Sequence, residues 1–531
     1  MPDVLLTTVC RPFGGNCEGD SVGAELFHAQ VTRSQGIFSY RQVIRCWGLD
    51  YIAENIKAPT VVLHYPSKRE FRREIRKRQY DIIGINFVVA TFHKVQQMVN
   101  IIRKHSPGSK IVLGGYGTVL SDNELRSFSD VICREEGIGF MRRLLGEKPD
   151  RPICHPYTPI ESPRVYSVPL KTKVAHITGG LGCPNGCDFC CTSHYFKRRY
   201  IPFIQSGRKL YETMRMMERK AIEAGDNLSG FIFIDEDFFI HEKRAREFLD
   251  CVRAGGVSPS IMGFGSVRGL SQFTADEIAE MGFDIIWTAF EGTKSGYKKL
   301  RGAKLDELYH GLKSRGVAIL TSMIIGFPYQ DQTKIQVEFK QLMDLAPDLW
   351  QILIYFAFPG TPLYEKVMEE GRYLDAYRNQ PDYRRFDGFS MHFKHEHFEP
   401  KKIEDLQKAL YRKAFETLGP SLVRVMQTWF EGYLCLKSSS RPLLRQRAVR
   451  MHEYVRSALP ALYPAIWFGP NRKRRADARQ FLDDIVREFG SLSFKKRLAC
   501  WGTLPLSFWT WMTERLGLFQ QPRLFRREHR I

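Results

Sequence analysis

The chain has 531 residues, of which 43% are hydrophobic and 26% charged, with a formal net charge of +21. That apolar fraction supports packed cores and excludes a disordered chain, and no run of about 18 apolar residues is present to cross a membrane as a helix. The length predicts about two to four domains. The opening Met1-Pro2-Asp3-Val4-Leu5-Leu6 lacks a basic, apolar leader and reads as a first strand. Twelve cysteines in such a chain predict a reducing, cytoplasmic setting with metal or free-thiol uses, not a disulfide framework.

Residues 1–150 carry apolar strand patterns at Val4-Leu5-Leu6, Tyr80 to Phe87 and Lys110 to Gly115. Between the last two, Lys94 to Lys104 places Val95, Met98, Ile101 and Ile102 at helical spacing. Strand–helix–strand of this kind predicts a parallel sheet in a doubly wound, Rossmann-like α/β domain. Its ligand belongs at the strand C-terminal ends, Asn86 to Phe92 and Gly114-Gly115-Tyr116-Gly117-Thr118. Glycine at such a turn lets the backbone approach a flat or phosphorylated ligand, although many such turns are purely structural. Prolines 149, 152, 156, 159, 163 and 169 then exclude helix and central strand, and residues 151–172 read as a stiff linker.

After the linker, Val174 to Thr178 reads as a buried strand that ends at Gly179-Gly180. It releases Gly182-Cys183-Pro184-Asn185-Gly186-Cys187-Asp188-Phe189-Cys190, three cysteines spaced C-x3-C-x2-C. Iron–sulfur clusters are normally held by four cysteines, so three leave one iron open to another ligand. Structural zinc wants four closed ligands, and no second cysteine pair is near. Further strand patterns follow at Gly230 to Ile234, Ile261 to Gly265, Asp284 to Thr288, Ala318 to Ile325 and Leu349 to Ile354. Helical patterns at Glu242 to Arg253, Thr274 to Met281 and Gln336 to Leu345 lie between them. Repeated strand–helix units over residues 173–395 predict a partial (βα)6 barrel of the TIM type, which keeps its site at the strand C-terminal ends. Those ends carry Asp235-Glu236-Asp237, Ser266 with Arg268, Glu291-Gly292 and Gly326-Phe327-Pro328.

From about residue 396 the pattern turns mostly helical, with Ile403, Leu406 and Leu410, then Leu422, Val425 and Trp429, on apolar faces. Residues 441–531 hold 19 Lys/Arg against 7 Asp/Glu. Five of the eight tryptophans (Trp429, Trp467, Trp501, Trp509 and Trp511) fall from residue 429 onward, beside Arg472 to Arg475, Lys495 to Arg497 and Arg523 to Arg530. Aromatic rings among cations suit the bilayer interface, so a peripheral contact at the inner face of the membrane is expected ahead of nucleic acid.

The cysteine loop, with an aromatic before its last cysteine, resembles the radical S-adenosylmethionine enzymes. Phe233 to Phe238, Phe290-Glu291-Gly292, Ile325 to Pro328 and Pro359 to Tyr364 resemble the branch with an N-terminal cobalamin-binding-type domain, which includes the oxygen-independent magnesium-protoporphyrin monomethyl ester cyclase. The same branch is suggested by Asp81 to Phe87, Lys110 to Thr118 and Arg134-Glu135-Glu136-Gly137, although the last departs from the family's Gly-Glu-Gly-Glu turn. No aspartate–x–histidine–x–x–glycine motif supplies a lower cobalt ligand, so histidine-off binding is implied and His93 is not expected to ligate.

The resemblance implies a 4Fe–4S cluster on Cys183, Cys187 and Cys190, with Cys191 outside the set. It implies S-adenosylmethionine near Phe189, Asp235, Glu236, Asp237, Ser266, Arg268, Glu291, Gly326 and Pro328, without deciding which carboxylate takes the methionine amino group. Cobalamin would lie near Gly114, Gly115, Gly117 and Gly137. The implied activity is generation of a 5′-deoxyadenosyl radical, used for cobalamin-dependent methylation of an unactivated carbon in an apolar or lipid-like substrate. Radical cyclisation or carbon–carbon coupling, or RNA modification, are the alternatives. A reduced flavodoxin- or ferredoxin-type donor is the expected partner, and no residue is assigned a direct catalytic role.

Overall fold

The structure is a computed structural model that describes residues 1–11, 27–42, 44–160, 164–170, 172–292, 294–378, 382–516 and 524–529. Five parallel strands open the chain: β1 (Val4–Thr8), β2 (Thr60–His64), β3 (Ile82–Asn86), β4 (Lys110–Gly114) and β5 (Val131–Ile132), in the order β2-β1-β3-β4-β5. Their runs are almost wholly apolar because helices cover both faces. On one face α1 (Trp47–Asn55) and α4 (Gly137–Leu144) place Leu49, Ala53 and Met141 against Val4, Leu6 and Val62. On the other, α2 (Lys68–Lys77) and α3 (Phe92–His105) place Phe71, Ile75, Val95 and Met98 against Leu5, Ile83 and Ile85. Alternate residues of one strand thus feed two cores. Strand order reverses between β1 and β3, the crevice at which open α/β sheets place ligands.

The second sheet contains β6 (Pro159–Ile160), β7 (Lys173–Ile177), β8 (Leu228–Phe233), β9 (Ile261–Phe264), β10 (Phe283–Glu291), β11 (Ala318–Ile325) and β12 (Leu349–Ile354). The last six run parallel in chain order, while β6 pairs antiparallel with β7 at the edge, where a strand proline is tolerated. Helices α5 (Gly207–Glu223), α6 (Glu242–Gly255), α7 (Leu305–Lys313) and α8 (Gln332–Asp344) separate successive strands. β11 and β12 occupy the stretches their apolar runs predict. β10 extends three residues past its expected end, through a register shift between Ala289 and Glu291.

The C-terminal region consists of α9 (Pro400–Leu418), α10 (Ser421–Leu436), α11 (Pro442–Phe468), α12 (Arg472–Phe489) and α13 (Phe494–Arg515), followed by a strand, β13 (Phe525–His529). That strand departs from the helical expectation. It pairs antiparallel with β2 and covers what would otherwise be a free sheet edge. Its sequence, Phe-Arg-Arg-Glu-His, has no apolar alternation because backbone pairing and ion pairs hold it: Arg526 to Glu74 at 3.0 Å and His529 to Glu54 at 3.5 Å. Arg523 and Arg530, counted in the last basic cluster, lie outside the described residues.

Arg447 of α11 fastens this helical region to the second sheet. It is fully buried, and its Nη1 lies 2.7 Å from Asp284 Oδ1. Its other nitrogens donate to the carbonyls of Arg315 at 2.9 Å, Phe283 at 2.6 Å and Gly316 at 3.1 Å, at the entries to β10 and β11.

Candidate functional site

β7 ends at Ile177, and the cysteine loop leaves its C-terminal end. Gly179 must be glycine, since a Cβ there would lie 2.3 Å from Asp235 Oδ2. Ser193 ties the loop together, donating to the Cys183 carbonyl at 2.7 Å while accepting from Gly186 N at 3.0 Å. The Cys190 amide donates to the Cys187 carbonyl at 3.0 Å. Cys183, Cys187 and Cys190 are all free thiols; Cys187 is buried and the other two are half-buried. Burial pushes Cys183 up to about 11 and Cys187 up to about 12, and each of these two thiols is raised further by its neighbours in the set. Thiols raised this far by burial ionise only against strong positive charge, which an iron cluster supplies. Among the described residues no three His, Cys, Asp or Glu side chains converge on a single metal ion. A cluster does not require that convergence, because its ligands sit on separate irons. The loop therefore fits a cluster. Cys191 begins a short helix, Cys191–Tyr195; burial pushes it up to about 12, and of the loop thiols only Cys190 acts on it.

The three carboxylates after β8 divide their work. Asp235 accepts from Tyr200 Oη at 2.6 Å and pairs with buried Arg244 at 2.8 Å. Asp237 accepts from Ser266 N at 3.0 Å and from Asn185 Nδ2 at 3.2 Å; the same Asn185 amide donates to Cys183 Sγ at 3.2 Å. Like Asp235 at Oδ2, Glu236 has a buried Oε2 with no partner. Burial raises its carboxyl from 4.5 to about 7, although backbone amides, including that of Gly182, oppose the shift. Because the folded value is the higher one, stability is intact below about pH 4.5 and falls as the pH rises to about 7. In the protein without cofactors this window should cost about 3 kcal/mol. Glu236→Gln should flatten that fall in urea melts between pH 5 and 8; an unchanged profile would show that Glu236 does not titrate there.

Glu291 ends β10 in a left-handed conformation, φ +51°, which a side chain other than glycine adopts under strain. It is buried and ion-paired with Lys299, and its Oε2 has no partner. Burial works against the Lys299 ammonium, but Glu291 and the neighbouring thiols outweigh it and hold the group above its ordinary value. Its Nζ lies 5.7 Å from the centre of the Phe189 ring. Phe189 packs edge-on against Tyr297 at 5.5 Å and Tyr355 at 5.8 Å. Both tyrosine hydroxyls donate to Asp188, at 2.5 and 2.9 Å, and Phe327 closes on Tyr355 at 4.6 Å.

Tyr297, Lys299 and Tyr355 are absent from the sequence-derived set. They come from two later connections, and only Lys299, eight residues beyond Glu291, offered a chemical signal. Three further expected residues follow the ends of β9 and β11. Arg268 and Pro328 are exposed, and the Ser266 hydroxyl caps the following turn by accepting from Gly269 N at 3.0 Å. Gly326 needs glycine for its own backbone, φ +89°, and its amide donates to Gln330 at 2.7 Å.

The glycine turn of the first sheet also has internal reasons. A Cβ on Gly117 would lie 2.2 Å from the Phe87 ring, and one on Gly137 would lie 2.8 Å from Ile52; Gly115 is left-handed and Gly114 has ordinary contacts. These glycines do not form an open cradle. The β1–β3 reversal is flanked by buried Val9 and exposed Val88. His93 lies in the first turn of α3. Tyr116, from the same turn, packs on Tyr195 at 5.2 Å and Phe196 at 6.3 Å, and Thr118 Oγ1 lies 3.0 Å from Tyr195 Oη. The glycine turn and the cysteine loop therefore meet.

No protein-family model matches the chain. It is 22% identical over 409 residues to an uncharacterized methyltransferase of Pyrococcus horikoshii, covering 70% of this chain and 86% of that one. It is 21% identical over 352 residues to bacteriochlorophyllide d C-8(2)-methyltransferase of Chlorobaculum tepidum, covering 60% and 74%. It is also 21% identical over 369 residues to the anaerobic magnesium-protoporphyrin IX monomethyl ester cyclase of Rubrivivax gelatinosus, covering 58% and 62%. The chain is a relative of these methyltransferases and this cyclase. By that likeness it is an enzyme of methyltransferase or cyclase type, as the resemblance of its motifs implied. The radical S-adenosylmethionine methyltransferase TsrM of Kitasatospora setae, solved with cobalamin and a 4Fe–4S cluster, aligns with a TM-score of 0.52 at 13% identity, covering 86% of this chain and 99% of that one. This likeness is one of fold: mixed α/β with parallel sheets and a helical C-terminal region.

Proposed function

We propose that the chain is a radical S-adenosylmethionine methyltransferase whose cluster is held by Cys183, Cys187 and Cys190. The observation that carries this reading is the set of three free thiols on one loop, which act on one another's ionisation, beside two carboxylates, Glu236 and Glu291, each with a buried oxygen that has no partner. When bound, the cluster would supply the electron that cleaves S-adenosylmethionine to a 5′-deoxyadenosyl radical, and cobalamin at the β1–β3 crevice would carry the methyl group.

The chain's own part is to bind, orient and keep dry. Glu236 Oε2 and Asp235 Oδ2 are the unused acceptors that an amino group needs, because both oxygens of Asp237 are taken by the Ser266 amide and Asn185; of the two, Glu236 lacks the cation that neutralises Asp235. Glu291 offers the same toward hydroxyls or an ammonium on the opposite side, and Lys299 places a cation beside the cluster thiolates. Phe189, Tyr297, Phe327 and Tyr355 form an apolar wall that excludes water from a reactive radical.

We read residues 1–150 as the doubly wound cobalamin-type domain, 151–172 as linker, 173–395 as a partial barrel and 396–531 as the basic helical region, whose last strand returns to the first sheet. An apolar substrate with an unactivated carbon fits this layout, as does a flavodoxin- or ferredoxin-type donor. The cyclase among the relatives supports radical ring closure as the second reading. The test is anaerobic turnover of the reconstituted enzyme, scoring 5′-deoxyadenosine and S-adenosylhomocysteine together. Both should form with cobalamin present. Deoxyadenosine alone would favour cyclisation, and neither product would remove the assignment.

A further inference from the structure

Helix α13 is turned inside out. Its inward stripe is Cys500, Thr503, Leu504, Ser507, Thr510, Thr513 and Glu514, polar apart from Cys500 and Leu504. Its outward face carries Phe494, Leu498, Trp501, Phe508, Trp509 and Trp511, between 41% and 80% exposed. The rotation is set by the polar side. Thr503 Oγ1 donates to the Pro460 carbonyl at 2.9 Å, Thr510 Oγ1 lies 2.9 Å from Ser167 Oγ, and Glu514 is ion-paired with Arg41. Trp467 at the end of α11, 51% exposed and 6.4 Å from the Trp501 ring, widens the patch. A run of exposed large rings and aliphatic side chains this long marks an interaction surface.

We infer that this face is a docking surface for an anionic lipid bilayer. Charge selects the occupant. Lys495, Lys496 and Arg497 stand in the first turn, where the helix dipole disfavours cations, and none has a carboxylate partner among the described residues. Arg515 lies over the Trp511 ring at 4.5 Å at the far end. The sole carboxylate of the helix, Glu514, faces inward, so the outward face is purely cationic and apolar. Apposing two copies would bring like charges together, whereas headgroup phosphates neutralise them while the rings settle at headgroup depth. No helix among the described residues is long and apolar enough to cross the membrane, so the mode is interfacial. This surface stands independently of the chemistry proposed for the cysteine loop.

The test is flotation of the full chain with phosphatidylcholine vesicles, pure or containing about one third phosphatidylglycerol. The native chain should float with the anionic vesicles. Joint replacement W501S, F508S, W509S and W511S should weaken partition by about tenfold or more, and K495E, K496E and R497E together should abolish the preference for anionic lipid. These side chains are exposed, so the native circular dichroism melt should persist. Should the aromatic variant not fold, quenching of native tryptophan fluorescence by bromolipid in the same vesicles gives the independent measure. Absence of flotation and quenching overturns the proposal, as does undiminished flotation of a folded aromatic variant. A dimer abolished by the aromatic replacements, or an RNA gel shift abolished by the charge reversals, each without flotation, overturns it in favour of a second copy or of nucleic acid.

Discussion

Replacing Cys187 with alanine should abolish the charge-transfer absorbance of the reconstituted protein and reduce 5′-deoxyadenosine formation to background. Cys187 is the most buried of the three loop thiols, and its loss leaves two ligands where a site-differentiated cluster needs three. Cys183→Ala and Cys190→Ala should behave alike, since the three thiols act as one unit. Cys191→Ala is the control. It is adjacent in sequence, but no thiol of the loop apart from Cys190 acts on it, so its variant should keep both absorbance and deoxyadenosine. Full activity of the Cys187 variant would end the assignment of the cysteine loop. Loss in the Cys191 variant would show that the loop rearranges when the cluster assembles.

Arg447→Met should destabilise the protein by about 3–5 kcal/mol, read as a fall in the urea midpoint at unchanged slope. The substitution keeps much of the side chain's volume but leaves buried Asp284 with only the Ser260 hydroxyl and a longer contact to Arg450 at 3.6 Å, and it removes the donors to three carbonyls at the entries to β10 and β11. Burial already lowers this guanidinium to about 10, opposed mainly by Asp284, so the charge is tolerated because its partners surround it. Arg447→Lys should recover part of the loss, since one ammonium cannot reproduce the guanidinium fork. Lys340→Ala, which breaks an exposed pair with Asp344, should leave the melt unchanged. A change below about 1 kcal/mol for Arg447→Met would mean that other contacts, such as Arg450 to the Ser258 carbonyl and Thr428 to Asp348, hold the helical region to the sheet.

Much of the fold is visible in the apolar runs. Ala318 to Ile325 and Leu349 to Ile354 are strands over the stretches their composition predicts, because a central parallel strand is buried on both faces and carries few polar residues. The same signal was present at Thr60 to His64, fully buried as β2, although no expectation named it. β13 could not be found in this way, because an edge strand held by backbone pairing and ion pairs needs no apolar pattern. Of the candidate site, the three cysteines and the carboxylates at 235–237 and 291 were legible. Arg268 and Pro328, implied by the family resemblance, are exposed.

The sequence by itself determined what is local. Nine consecutive residues place three thiols on one loop, and no later folding event can separate them. Tertiary structure decided what depends on distant partners. It matched Asp235 Oδ1 with Arg244 and Asp237 with the Ser266 amide, leaving Glu236 Oε2 and Asp235 Oδ2 without partners. It brought Lys299, Tyr297 and Tyr355 to the cysteine loop from connections more than a hundred residues away. It also turned the polar stripe of α13 inward, a choice made by Pro460, Ser167 and Arg41 that no helical period could reveal. Spacing along the chain specifies which groups can share a loop. Burial and pairing across the chain decide which of them remain free to act.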